Sequence, residues 1–323
     1  MPSTTANPSV GPVACPGVDV CLAVDIGGSK IAAGLVTSEG DLLVHDRRET
    51  PPSQDAEEIF GVVESVVSGI LGSGLPGPGN DNGARTAPSV VACGIGCGGP
   101  MDLAAGTVSP LNIPGWRDFP LRARMETLTR LPTALDNDAK ALALAEGWVG
   151  AAQERRDFLA MVVSTGIGGG IVLGGRLVEG ASGNAGHIGH VIVEPDGRLC
   201  VCGARGCLEA EASGTAIAAV TGKPAADAPP SAVTRCGQMV GRGVASLVSA
   251  LDVELTVVAG SVALGYGAPF FAAANEELRA RACLSFTRSA VIVPAGLADR
   301  GPLVGAGAVG FEAGGLHVLG ADS

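Results

Sequence analysis

The chain has 323 residues, enough for about two domains; 46% of them are apolar, Gly is abundant at 50 and only 3% are aromatic. A formal net charge of −11 argues against a nucleic-acid backbone as partner, since phosphate binding needs a basic face, and no apolar run approaches the roughly 20 residues that span a bilayer. The opening residues lack a basic start and an apolar h-region, and nine cysteines without extracellular context point to a reduced, cytoplasmic setting.

Residues 1–20, rich in Pro, Ser and Thr, read as a disordered lead-in. Cys21–Asp25 is a short apolar run, IGGSK turns, and IAAGLVT resumes an apolar stretch, so a strand, a glycine turn and a strand are expected. Ala56–Gly72 carries Ile59, Val62, Val63, Val66, Val67 and Ile70 at helical spacing. The Gly-, Pro- and Asn-rich stretch Gly72–Ser89 reads as a loop. Val90–Gly96 is a buried strand, Leu121–Leu131 a helix, Thr133–Leu135 a strand and Ala139–Gly150 a helix. A second strand, turn and strand follow as FLAMVVS, TGIGGG and IVLGGRLV. Further on, Ala212–Val220, Gly237–Leu251 and Ala268–Cys283 read as helices, Leu255–Val258 and Ala290–Pro294 as strands, and Gly305–Ala313 as a closing helix.

The two glycine turns lie about 140 residues apart, one beginning at Asp25 and one at Thr165, and each is expected to open its own domain. Backbone N–H groups in such turns cradle phosphate oxygens without side-chain bulk, although a single glycine turn is ordinary. Neither has the Walker or the Rossmann spacing. An acidic residue beside a phosphate loop suits hydrated Mg²⁺, which keeps several of its waters.

Asp138, in Leu135-Asp136-Asn137-Asp138-Ala139, stands at a strand end before a helix. It is either an N-terminal helix cap or a general base that takes a hydroxyl proton during attack on a γ-phosphate. Downstream, GHIGHVIVEPDGRLCVCGARGCLE sets histidines ahead of three cysteines within eight residues. His190, Cys200, Cys202 and Cys207 have the composition of a closed, structural Cys₃His zinc site, and buried thiols with a hydrogen-bonded histidine are the plainer reading.

Several segments, in order, resemble the ROK family of bacterial sugar kinases and repressors: DIGGSK at 25–30, GIGCGGPMD at 94–102, NIPGW at 112–116, DNDAKALALAEG at 136–147, STGIGGGI at 164–171 and the cysteine window. The resemblance runs from about Leu22 to Phe311. It implies a two-domain α/β fold of the actin-like ATPase (ribonuclease H-like) kind, with sugar and ATP in an interdomain cleft and a structural zinc. The domains would be residues 21–135, rejoined by a C-terminal helix at 305–323, and residues 136–304.

By the same resemblance Asp138 would be the catalytic base. Asn137, Gly99, His187, His190 and Glu209 would face the sugar, with His190 also on zinc. Asp25, Gly27, Gly28, Ser29 and Lys30 would form one phosphate loop, and Thr165, Gly166 and Gly168 belong to the other. Gly260, in AGSV, would lie near the adenosine.

Three positions depart from the family pattern. His187 stands where the family has Glu, so a group with one donor and one acceptor replaces a pure acceptor and glucose specificity is in doubt. Lys140 replaces Asn and reads as a surface change, and Ser29 replaces Thr. The reading is an ATP- and Mg²⁺-dependent kinase for a hexose or hexose-like polyol, acting as a homodimer or homotetramer. An N-acetylhexosamine or cyclitol acceptor, or a non-catalytic sugar sensor, are the alternatives. A family repressor would carry a DNA reader ahead of Asp25, where this sequence has 24 residues without Lys or Arg.

Overall fold

The computed structural model describes residues 19–73 and 89–319. The expected lead-in, apart from Asp19 and Val20, and most of the expected loop at 72–89 lie outside the described residues. The first half of the chain forms β1 (Asp19–Ile26), β2 (Lys30–Thr37), β3 (Leu42–Glu49), α1 (Ala56–Gly72), β4 (Ser89–Cys97), β5 (Met101–Asp102), β6 (Thr107–Val108), α2 (Leu121–Thr129), β7 (Thr133–Asn137) and α3 (Asp138–Val149). The second half forms β8 (Phe158–Val163), β9 (Ile167–Leu173), β10 (Arg176–Leu177), α4 (Leu208–Ala212), α5 (Gly214–Thr221), α6 (Pro230–Leu251), β11 (Leu255–Ala259), α7 (Ser261–Tyr266), α8 (Ala268–Arg281), β12 (Val291–Pro294) and α9 (Gly301–Ala313).

These elements divide between two compact units. Unit 1 runs to Ala141 and adds Ser182–Asn184 and Arg300–Val318; unit 2 takes Leu142–Ala181, Ala185–Asp299 and the chain from Leu319. Helix α3 therefore begins in the first unit and ends in the second.

Unit 1 is built on a five-stranded sheet in the order β3-β2-β1-β4-β7. The β1–β2 and β2–β3 pairs are antiparallel, and β1–β4 and β4–β7 are parallel. β1 is buried along almost its whole length, as a strand covered on both faces must be. On one side lies α1, capped by Asp55, whose carboxylate accepts the Glu57 N–H, with Glu57 and Glu58 complementing the helix dipole. Its buried residues Ile59, Phe60, Val63, Val66, Val67 and Ile70 join the core formed with Trp116 and Phe119. Helix α9 covers β1 and β4. It carries four glycines, each costing about 1 kcal/mol of helix propensity against Ala. Close approach explains two of them together with a strand glycine: a Cβ on Gly94 would strike the Ala306 carbonyl, one on Gly307 the Val36 side chain and one on Gly310 the Cys21 sulfur. Backbone lies on backbone here, so the glycines are a packing requirement.

Unit 2 repeats the plan, with the order β10-β9-β8-β11-β12. Again the first two pairings are antiparallel and the last two parallel. Leu159, Met161 and Val258 of its sheet pack with Val240 and Val244 of α6 and Phe270 and Leu278 of α8. Glu146, with no solvent exposure, ties this unit internally. Its carboxylate accepts the N–H groups of Ala151, Gly296 and Leu297.

The chain is thus an α/β protein with two mixed sheets, and no helix among the described residues is long and apolar enough to cross a membrane. Several elements extend or add to the expected ones, β5, β6 and α7 among them. β3 is an additional edge strand, whose charged second half, His45 to Glu49, hides the alternation. Helix α6 starts at Pro230 rather than Gly237, and α9 starts at Gly301 rather than Gly305.

Candidate active site

In unit 1, β1, β4 and β7 place Asp25, Gly96 and Asp136 side by side in register. With no side chain on Gly96, the Asp25 carboxylate and the Asp138 backbone approach from either side; a Cβ there would lie 3.9 Å from Asp25 Oδ1 and 3.6 Å from Asp138 Cα. Asp25 is 7% exposed, and burial, then repulsion from Asp138, pushes its pKa up to about 7 against the pull of Lys30. Asp138 is raised as well, chiefly by burial, while backbone N–H groups oppose the shift. Its Oδ1 accepts the Ala139 N–H at 2.8 Å. Asn137 Oδ1 accepts the same N–H at 3.1 Å, so the residue ahead of Asp138 serves as the helix-capping side chain. The buried Cys97 thiol is pushed up by burial and by both carboxylates, which marks the three groups as neighbours.

The turn after β1 is held by its carbonyls. Gly27 N–H donates to Lys30 O at 2.9 Å, Thr50 N–H to Ser29 O at 3.1 Å and Thr50 Oγ1 to Gly27 O at 2.7 Å. Among the described residues, the Gly28 and Ser29 N–H groups have no partner in these bonds. Gly99 lies in the loop after β4, where its carbonyl accepts the Leu111 N–H at 3.2 Å.

In unit 2 the turn between β8 and β9 meets the starts of two helices. Gly214 N–H donates to Ser164 O at 2.8 Å, and Thr215 reaches Thr165 O through both its N–H and its hydroxyl. The Ser164 and Ser261 hydroxyls are 2.9 Å apart. Gly260 has φ +101°, and a Cβ on it would strike the Val163 carbonyl, so only glycine closes this corner. Glu209 Oε2 accepts the Ile167 N–H at 2.9 Å and borders Gly166, while Gly168 pairs with Val162 in the strand beyond.

The segment Gly186–His190 lies flat against β9, because side chains on Gly186 and Gly189 would strike the Gly169 and Ile167 carbonyls. It carries an exposed His187 and a half-buried His190, whose rings stack with centroids 6.1 Å apart. His190 Nδ1 stands 3.6 Å from Cys200 Sγ, and Cys202 Sγ stands 3.7 Å from Cys207 Sγ. The four ligand atoms all lie within 4.8 Å of one another. Tetrahedral zinc with bonds of about 2.3 Å to sulfur sets sulfurs about 3.8 Å apart, so the donor set and its spacing fit that ion. Bridges pairing Ile192 with Cys207 and Leu199 with Arg205 fold the window into this knot.

Unit 1 thus brings together Asp25, the 27–30 turn, Asn137 and Asp138, and unit 2 brings together Thr165, Gly166, Glu209, Gly260, His187 and the His190 cysteine cluster. Gly99 and Gly168 are each held by backbone pairing. The sequence reading missed Ser164, Gly214, Thr215 and Ser261, which brace the second turn; a glycine inside the expected helix Ala212–Val220 was the available signal, since it marks a new helix start. It also took Lys140 for a surface residue, which the structure corrects. The Lys140 side chain has 0% exposure and its Nζ lies 2.9 Å from Asp136 Oδ1, because the first turn of α3 points it back toward the end of β7.

A model of the ROK family matches residues 21–310. N-acetylmannosamine kinase of Escherichia coli is 38% identical over 263 residues, covering 76% of this chain and 84% of that protein. The structure of a ROK family glucokinase from Streptomyces griseus, in complex with glucose and AMPPNP, superposes with a TM-score of 0.77 at 31% identity, covering 91% of this chain and 99% of that one. ROK hexokinase from Thermus thermophilus gives 0.75 at 33% identity, covering 92% and 99%.

Proposed function

The chain belongs to the ROK family and is an ATP-dependent sugar kinase, and from that premise we propose that Asp138 is the general base for transfer of the γ-phosphate to a hydroxyl of a hexose-class acceptor. The observation that carries the assignment is the pair of underpaired carboxylates, Asp25 and Asp138, flanking Gly96. Burial raises Asp138, which strengthens it as a proton acceptor. The hydroxyl proton moves to its carboxylate as the oxygen attacks phosphorus. Phosphoryl transfer otherwise needs positioning and charge neutralisation. For these the chain offers Asn137 toward the acceptor, the N–H groups of Gly28 and Ser29, and the turn at Thr165–Gly166 with Gly260 for the nucleotide.

Two metals fit the residues present. Mg²⁺ would draw on the Asp25 oxygens, with nucleotide oxygens and waters completing its shell, and it would supply neutralisation of phosphate charge. A raised, like-charged Asp25 is the chemistry expected of an oxygen that meets a cation. Zinc would be held by His190, Cys200, Cys202 and Cys207; four protein ligands leave no open position, so its role would be structural. It would fix the fold of the segment that carries His187 and Glu209, the proposed acceptor contacts of unit 2.

A second reading concerns the acceptor. His187 in place of a carboxylate, and the 38% identity with an N-acetylmannosamine kinase, favour an N-acetylated hexosamine over glucose. A coupled ADP-release assay with Mg-ATP over N-acetylmannosamine, N-acetylglucosamine, glucose and mannose tests both readings. Turnover with none of them would refute the hexose class, and kcat/KM highest for glucose would refute the hexosamine preference.

A further inference from the structure

Ser182–Asn184 belongs to unit 1, although the chain on both sides of it belongs to unit 2. Two attachments hold this short excursion. Lys140 Nζ donates to Gly183 O at 3.2 Å, and the Asn184 side chain mimics a strand partner for Met101, accepting its N–H at 3.4 Å and donating to its carbonyl at 3.2 Å. Gly183, at φ +78°, packs where a Cβ would strike the Leu103 side chain, so the carbonyl is presented from a tightly constrained site.

Lys140 is an unusual residue to find at such a place. Its side chain has 0% exposure, and that of Asp136, its partner at 2.9 Å, has 9%. A buried pair of this kind gains little stability over apolar packing of similar volume, because desolvation offsets the attraction. The lysine has to be accounted for by what its geometry does. Asp136 Oδ1 also accepts the Asn137 N–H at 2.7 Å, so one carboxylate oxygen links the ammonium to the strand end that carries Asn137 and Asp138. From the same nitrogen the carbonyl of Gly183 is held, four residues before His187.

We propose that Lys140 is a positioning residue for acceptor binding: within unit 1 it locks the Asp136–Asn137 strand end and the Gly183 carbonyl to one buried nitrogen, and so sets Asn137. The inference rests on the reading of Asn137 as an acceptor contact. It makes Lys140 a determinant of acceptor affinity that never touches the acceptor. Its position between the two attachments, and not its charge, is the working property.

The test separates those two properties. Lys140→Met alone removes the ammonium 2.9 Å from buried Asp136 and is expected to lower stability. Lys140→Met combined with Asp136→Asn removes both charges together, restoring neutrality but not the hold on Gly183. In this double variant the KM for the best acceptor of the hexosamine and hexose panel is expected to rise about tenfold, with the KM for ATP unchanged and kcat within about twofold. Amide hydrogen exchange, read without any substrate, should accelerate at residues 182–184. Wild-type acceptor KM in a double variant that melts like wild type would overturn the proposal, leaving Lys140 as a charge partner of Asp136 alone. A parallel rise in both KM values would overturn it too, as general distortion. Should the double variant fail to fold, Lys140→Arg, which keeps the charge but displaces the donor, is expected to give the same selective KM shift, and its absence would count against the idea. Failure of the kinase assignment reads out elsewhere, as full turnover by Asp138→Asn, and leaves the exchange result intact.

Discussion

Both units bury carboxylates that the chain pairs, Asp136 in unit 1 among them, but unit 1 also buries two that it leaves raised. In unit 2, Glu146 receives three backbone N–H groups, and Glu211, its side chain 1% exposed, receives Arg198 and Arg235. Each is a knot in the fold, with its oxygens fully engaged. In unit 1, Asp138 draws on the N–H groups at the start of its own helix, and Asp25 on the charge of Lys30, and both remain raised. Two units built on sheets of matching plan therefore put buried acids to different ends. A carboxylate saturated by its own chain has finished its work on folding; one left short of donors is held ready for something the chain does not contain.

The largest test of that contrast is Asp138→Asn. Turnover is expected to fall by about 10³-fold, while thermal stability holds or rises. The sign follows from the direction of the shift: a raised pKa means that the folded protein binds a proton more readily than the unfolded chain. The ionised carboxylate therefore costs stability above the folded pKa, and the neutral amide removes that cost. Wild-type activity should accordingly lose its acid limb at a pH above the usual Asp value of about 3.9, since the base must be ionised. A coupled assay and a melting curve on one preparation decide it, and near-normal turnover in the variant would sink the base. The same substitution logic applied to Glu146→Gln predicts the reverse: a loss of stability with kcat retained in whatever remains folded.

Smaller effects are expected in unit 2, where the proposed roles are to hold structure rather than to move a proton. Metal analysis should return one zinc per chain, lost in Cys207→Ser, with a lower melting temperature and an acceptor KM raised about tenfold; a zinc-free wild type would remove the metal from this account. Gly260→Ala forces a side chain into φ +101° against the Val163 carbonyl, at a cost of about 1–3 kcal/mol. It should raise the KM for ATP and leave that for the acceptor unchanged, and a rise in acceptor KM alone would reverse its assignment to the nucleotide.

The contrast between the units explains what could be read from the chain. Strands such as β1 and β8 announce themselves because they are buried on both faces and are continuous apolar runs. The cysteine window and Asp138 stood out because they are local features: thiols a few residues apart, and an acid at a strand end. What stayed hidden depends on distant partners. β3 carries charges because it is an edge, and α9 has glycine at Gly310 because the helix there rests on Cys21 and Gly94, far earlier in the chain. Lys140 reads as surface because nothing within its own helix shows that Gly183 will cover it. Thr215 reads as a helix residue because its partner, the Thr165 carbonyl, belongs to a turn 50 residues away.

The smallest expected effect tests the saturated side of the comparison. Burial pushes Glu277 up, but hydrogen bonds from Arg281 and Arg242 outweigh it and hold the carboxyl below its usual value. The group joins α8 to Arg242 of α6, which also reaches Glu194 at 3.0 Å. A lowered pKa contributes stability that is full above the unfolded value of about 4.3 and is lost as pH falls through the lower, folded one. Glu277→Gln should therefore cost about 1 kcal/mol at pH 7, as a partly exposed pair does. That difference should stay constant down to about pH 4.3 and close only below it. Urea midpoints of the two proteins across that range measure it. A gap that widens as pH falls from 7 to 5 would mean that Glu277 is raised, like Asp25, and that unit 2 also keeps an underpaired acid.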